Sequence, residues 1–261
     1  MMTLVIGIKS REGIVLGADG AATLGRAGLQ TVQQRCKKLE VLGPNIVFGS
    51  SGQIGFSQKL TAEIGERYKS EYWYKKHSLT FRKMLEKALV PHFKWELESA
   101  APLGHLGLQQ VLSQAFVALP LGDDTAHLYE INERGTTEEK TEAVPFASIG
   151  SGQQNADPFL AFLRDIYWPD RLPNLSEATF VALWALRFCI RFGAGIGEPI
   201  QIITLAKSDE GNWEATELTE DMLKEHREAI KRAEDALRDF RTGFQQKQKV
   251  AEGLLSPSEF K

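Results

Sequence analysis

Metal, thiol, phosphate and serine-elbow chemistry each require particular residues at particular spacings, and the sequence carries none of those patterns. The five histidines, His77, His92, His105, His127 and His226, form no HExxH and no i,i+4 pair, so a zinc hydrolase would lack its ligands. Cys36 and Cys189 have no CxxC or histidine partner and read as free structural thiols. No GxxxxGK[ST] loop is present, and neither Gly193-Ala194-Gly195-Ile196-Gly197 nor Gly150-Ser151-Gly152 has the strand-to-helix dinucleotide fingerprint. Gly49-Ser50-Ser51-Gly52 is not a GxSxG elbow. No cofactor and no metal is expected. What remains is an ordered set of small and polar groups: Thr3 ahead of an apolar run, Asp19 before Gly20, Lys38 after Lys37, Gly52 and Ser151 in small-residue turns. Taken singly, each has an ordinary explanation. Asp19 before Gly20 is also turn chemistry, Lys38 is also a solvated strand residue, and the two turns also serve backbone geometry.

Such groups act together only if the chain folds them to one point. Short β-rich runs at 4–9, 14–18, 38–42 and 46–48 alternate with Gly13, Gly20, Gly25 and Gly43-Pro44, which predicts hairpins. Leu60, Ile64, Tyr68 and Tyr72, then Phe81, Leu85, Leu89 and Phe93, recur at i+4 steps and predict two helices over 56–100, broken near His77-Ser78. Strands are predicted at 112–119, 127–131 and 146–149. Helices follow over 156–167 and 177–192, the second capped by Ser176, and then a buried strand over 200–205. The order of strands, two helices, strands, two helices and strand, without a linker, predicts one α+β domain over 1–218: two sheets covered by two helical layers.

A charged helix over 219–249, within an extension spanning 219–261, completes the chain. Leu223, Ile230, Leu237 and Phe244 recur every seven positions, with Ala233 and Phe240 between them. That stripe fits either a helix docked on its own domain or a seam between subunits.

Composition excludes several partners. With 31 Lys+Arg against 34 Asp+Glu the net charge is −3, which gives no broad attraction to nucleic acid or an anionic membrane. The 43% hydrophobic content supplies a core without disulfides. The only early apolar run, 4–8, has Lys9 and Arg11 after it rather than before it, unlike a secretory leader. The most apolar stretch, 180–192, is interrupted by Arg187 and Arg191 and is too short to span a bilayer. A cytoplasmic protein with no nucleic-acid and no membrane partner is expected.

The ordered set resembles proteasome β-type subunits of the N-terminal nucleophile hydrolase superfamily. The matching segments are Thr3-Leu4-Val5-Ile6-Gly7-Ile8-Lys9, Gly13-Ile14-Val15-Leu16-Gly17-Ala18-Asp19-Gly20, Lys37-Lys38-Leu39-Glu40-Val41-Leu42, the strand and turn 46–55, Ser148-Ile149-Gly150-Ser151-Gly152, and Gly195-Ile196-Gly197-Glu198-Pro199-Ile200-Gln201-Ile202. The likeness spans residues 3 to about 206. It implies the four-layer αββα sandwich, here with an added C-terminal helix. It also implies that Thr3 is nucleophile and, through its own free amine, base; that Lys38 and Asp19 complete the catalytic trio; that Gly52 N–H faces the oxyanion; and that Ser151 joins the polar network. A threonine hydroxyl needs such a base, and an α-amino group, with a pKa of about 7.7–8.0, suits the task.

Assembly into a homo-oligomeric ring, and an ATP-driven unfolding partner in many bacterial members, are implied too. Thr3 must first be freed, either by self-cleavage after Met2 or by initiation at Met2 followed by removal of that Met. The sequence departs from the family pattern where an Asp and a following Ser usually support the terminal Thr, because 187–195 contains neither. Ala21 stands where an Arg is frequent, and the connection from Asp19 to Lys38 is about three residues longer than usual. Three readings stay open: a threonine-type peptidase subunit, a non-peptidolytic proteasome-like scaffold or binding compartment, and a small-molecule amidase of the same fold.

Overall fold

The computed structural model describes residues 3–26 and 29–251. The chain opens with the hairpin β1 (Val5–Lys9) and β2 (Gly13–Asp19), then a second hairpin, β3 (Ala21–Arg26) and β4 (Leu29–Arg35), then β5 (Leu39–Val41) and β6 (Val47–Ser51). Helices α1 (Ile54–Ser70), α2 (Ser78–Ala100) and α3 (Gly104–Val111) lead to β7 (Gln114–Pro120), β8 (Ala126–Ile131), β9 (Thr137–Glu139) and β10 (Phe146–Ile149). Then come α4 (Gln153–Tyr167), α5 (Leu175–Phe192), β11 (Ile200–Lys207), β12 (Trp213–Glu217) and α6 (Glu220–Ala251). One antiparallel sheet has the order β10-β1-β2-β11-β12 and another the order β5-β6-β7-β8-β9, with β3-β4 as a separate ribbon. The chain divides into two compact units at Leu218/Thr219.

The period-2 geometry of strands explains the layers. Val5, Ile14, Leu16, Ala18, Ile203 and Leu205 of the first sheet pack with Val47, Phe116, Ala118 and Leu128 of the second, forming the core between sheets. The alternate residues of the second sheet, Phe48, Ala115, Val117, Leu119, Tyr129 and Ile131, face Phe56, Leu60, Ile64, Phe81, Leu85, Leu89 and Phe93 of α1 and α2. On the first sheet the outward side meets α5, where a Cβ on Gly17 would lie 2.9 Å from Leu186 Cδ1. Strands covered on both faces read as continuous apolar runs, as 4–8 and 14–18 do. The result is the four-layer αββα sandwich.

Several elements differ from the sequence reading, for local reasons. The strand expected from Leu112 begins at Gln114, because residues 104–111 form α3, whose two glycines hide its period. Helix α5 is capped by Asn174 rather than Ser176. Asn174 Oδ1 accepts from Glu177 N at 2.7 Å while Glu177 Oε2 accepts from Asn174 N at 2.9 Å, a reciprocal capping box. The β3-β4 ribbon has a mixed polar sequence and β9 only three residues, while β12 alternates Trp213 and Ala215 with Glu214 and Thr216 over only five residues in a polar stretch, too short a run to mark it. No helix among the described residues is long and apolar enough to cross a membrane.

Candidate active site

Asp19 ends β2 beside the start of its antiparallel partner β1, where its amide donates to the Leu4 carbonyl at 3.2 Å, and its side chain is fully buried. Four donors converge on it. Oδ1 accepts from Lys38 Nζ at 2.5 Å and from the backbone amide of Leu4 at 2.8 Å. Oδ2 accepts from the amides of Ala21 and Gly197, each at 3.2 Å. A buried carboxylate that receives an ammonium and three N–H groups is fully solvated by the fold. Because Leu4 N and Lys38 Nζ share one oxygen, the ammonium sits beside the peptide that links Thr3 to Leu4.

Lys38 precedes β5 and is buried. Burial pulls its pKa below the ordinary lysine value, against the opposing charge and hydrogen bond of Asp19. Its backbone is held by a residue the sequence reading did not single out. Gln201 Oε1 accepts from the amides of Lys38 at 3.3 Å and Leu39 at 3.0 Å, and Gln201 Nε2 donates to the Leu39 carbonyl at 3.0 Å. The amide of Gln201 thus ties β11 to the first sheet's neighbour across the sandwich. The signal available was one glutamine inside the apolar run Ile200-Gln201-Ile202-Ile203. The amide of Gly197 is the other contributor that residue types alone did not reveal.

Thr3 is buried against the turn that follows β10. Its amide donates to Ser151 Oγ at 3.1 Å, and its carbonyl accepts from the Gly152 amide at 3.2 Å. Gly150 adopts φ +94°, and a Cβ there would lie 2.4 Å from the Thr3 carbonyl oxygen, so only glycine fits. Gly52 has φ +115°, and a Cβ would meet Ser113 Oγ at 2.2 Å. Ser51, next to Gly52, approaches the same Gly150 position, so the end of β6 reaches the Thr3 turn. Thr3, Asp19, Lys38 and Ser151 therefore lie in one linked network, and Gly52 adjoins it through Ser51.

The Met1-Met2 segment whose removal would free Thr3 lies outside the described residues. His127 is buried between Glu139 Oε1, 2.7 Å from Nδ1, and Asp123, 3.1 Å from Nε2, with Ser78 Oγ on the second Glu139 oxygen at 2.5 Å. Burial alone would lower its pKa, but the hydrogen bonds and charges of the two carboxylates together outweigh burial and raise it, and the cluster clasps β8, β9 and the start of α2. Burial pushes the Cys189 thiol up to about 11, which makes it unreactive. No cluster of three or more His, Cys, Asp or Glu that could hold a metal occurs among the described residues.

This geometry can be set beside known proteins. A protein described as "Probable proteasome subunit beta type-2" from Schizosaccharomyces pombe is 28% identical over 171 residues, 64% of this chain and 54% of its own length. The match thus spans about half of that relative. "Proteasome subunit beta type-2" of Saccharomyces cerevisiae is 22% identical over 229 residues, covering 88% of this chain and 78% of its own. Among solved structures, Anbu from Hyphomicrobium sp. strain MC1 superposes with a TM-score of 0.65 at 18% identity, covering 92% of this chain and 97% of that one. Anbu (ancestral beta-subunit) from Yersinia bercovieri gives a TM-score of 0.66 at 14% identity, covering 92% and 96%. These two show the shared fold. The family model described as Proteasome subunit matches residues 3–170 and begins at Thr3 itself, and on that match the chain belongs to the proteasome subunit family.

Proposed function

We propose that this proteasome-like subunit is a threonine-type peptidase that hydrolyses peptide bonds with Thr3 as N-terminal nucleophile. One observation carries the reading: Lys38 and the amide of Leu4 share Asp19 Oδ1, which sets a buried ammonium beside the residue that would become the N-terminus. Once the chain begins at Thr3, its amine takes the proton of its own hydroxyl as Oγ1 attacks the scissile carbonyl. The nearby Lys38 ammonium disfavours protonation of that amine, keeping it a base near neutral pH. The Gly52 N–H serves as oxyanion donor to the tetrahedral intermediate. The amine passes its proton to the departing nitrogen as the scissile C–N bond breaks, leaving an ester on Oγ1; it then takes a proton from the water that attacks this ester and returns it to Oγ1 as the carboxylate product leaves. Subunits form a homo-oligomeric ring enclosing the sites, in the cytoplasm, and an ATP-driven unfolding partner feeds it.

The absence of both Asp and Ser from 187–195 favours a second reading, an assembly that kept the fold as a scaffold or binding compartment and lost peptide hydrolysis. Intact mass of the purified protein separates the two. Loss of Met1 and Met2 supports the peptidase, and their retention in the assembled protein supports the scaffold. A trimmed chain that is inert on a fluorogenic peptide panel would move the assignment to a small-molecule amidase.

A further inference from the structure

Helix α6 carries its apolar residues on one stripe, Leu223, Ile230, Leu237 and Phe244 at seven-residue steps with Ala233 and Phe240 between them. Burial divides that stripe in two. Leu223 and Ile230 are 1% and 0% exposed, whereas Leu237, Phe240 and Phe244 are 59%, 74% and 60% exposed. Two phenylalanines and a leucine aligned on one helix face in water form a contiguous apolar patch of the kind that marks an interaction surface. The seven-residue spacing runs through both halves, and the second half adds Ala233 and Phe240 at the half-steps where the first has His226, so the second half alone carries a full two-position seam for a partner helix.

We propose that residues 233–244 pair with the same segment of a second copy of this chain, the two helices running antiparallel. Side-chain size supports that register. Antiparallel packing sets small Ala233 against the partner's Phe244 and Leu237 against the partner's Phe240, so neither phenylalanine faces another, as both would in a parallel pair. Charge supports it as well. Glu234 and Arg241 lie on one edge of the stripe, and the antiparallel register brings each Glu234 beside the partner's Arg241, twice by symmetry. A parallel pair would instead face both charges with Ala229, Ala236 and Gly243, which occupy the opposite edge. The half-buried Glu234 lies 3.5 Å from the exposed Arg238, a long ion pair that a second copy can displace. The exposed face buries on the order of 400 Å² per copy, below the ~800 Å² per partner of a stable stand-alone complex. The helix pair is therefore one contact within a larger assembly, and the full chain is the object to test.

Sedimentation velocity and native mass spectrometry on the full chain, at matched concentrations, test the pairing. Glu234→Arg and Arg241→Glu are each expected to weaken assembly by about tenfold or more, because each sets like charges opposite each other twice. The double variant restores the charge pairs and the wild-type assembly, and Phe240→Glu weakens it without rescue. In a Cys36→Ser background, mixing Leu237→Cys with Phe240→Cys is expected to give more disulfide-linked dimer than either variant alone. Leu237, Phe240 and Arg241 are exposed, so thermal melting of their variants should stay at the wild-type value, and the cysteine mixture reads the register without any charge change. An assembly indifferent to all these variants, a double variant that fails to recover, or self-linking of Leu237→Cys in preference to the mixture would overturn the proposal. None of these readouts depends on peptide hydrolysis, so the pairing and the peptidase assignment stand or fall separately.

Discussion

Lys38 and Lys140 are both buried lysines, with 5% and 4% of their side chains exposed, yet the protein treats them in opposite ways. Lys140 meets two carboxylates, Glu130 and Glu138, each at 2.7 Å, and its pKa is raised despite the large opposing effect of burial. Among the described residues Lys38 pairs with one carboxylate, that of Asp19, whose oxygens also serve three backbone amides; Cys36 adds a smaller opposing effect, and there burial wins and the pKa falls. The sign follows from the number of counter-charges, since desolvation of the ammonium is the largest single effect at both sites. Lys140 is a clasp between β8 and the segment after β9. Lys38 is held in place but incompletely neutralised, which is the condition a group needs if it is to influence a neighbouring amine.

The comparison breaks most severely at Asp19. Asp19→Ala leaves a buried ammonium and three amides without an acceptor, and is expected to cost about 3–5 kcal/mol in denaturant unfolding, with complete loss of peptide turnover. Glu130→Gln, which leaves Lys140 its more exposed partner Glu138, should cost about 1 kcal/mol or less. An equal cost at the two lysine sites would refute the distinction.

Gln201→Leu should destabilise by about 1–2 kcal/mol, because the amides of Lys38 and Leu39 lose their acceptor. A purely structural role predicts an unchanged pH profile of turnover. A positioning role predicts that the profile shifts, with kcat falling more than KM changes.

The smallest effects sharpen the contrast through pH. For Lys38 the folded pKa lies below the unfolded 10.5, so between those values the unfolded chain binds more protons and stability rises with pH. For Lys140 the folded pKa lies above 10.5, so its stabilisation is complete below 10.5 and is lost as pH rises through the folded value. Lys38→Met should remove the rising limb and Lys140→Met the falling one. Side-chain NMR titration should show Lys38 deprotonating before Lys140, and the reverse order would contradict the account.

Of the candidate site, Asp19 is marked in the sequence as a strand-end acid before Gly20, whereas Thr3 and Lys38 carry no mark of their own and are picked out by the family resemblance. Buried strands with apolar residues on both faces announce themselves as continuous runs. Gly150 and Gly52 were visible as turn residues, but only the fold shows why a side chain cannot replace them. Gln201 was hidden because a single amide in a strand has no period; its meaning comes from Lys38 lying across the sandwich, a contact between residues 163 positions apart. The support given to Asp19 by Gly197 was invisible for a related reason, since a backbone N–H carries no residue signature. Helix α3 is hidden by its two glycines within eight residues, and the edge strand β12 alternates over only five residues, too short a run to stand out from the polar segment around it.

The measurement closest to the central claim is peptide hydrolysis by purified protein whose N-terminus has been verified as Thr3 by mass, compared with Thr3→Ala in the same assembled state. The account predicts turnover in the first and a loss of at least about 100-fold in the second, since the nucleophile is gone while the fold and Asp19–Lys38 pair remain. Equal turnover by both proteins would contradict it.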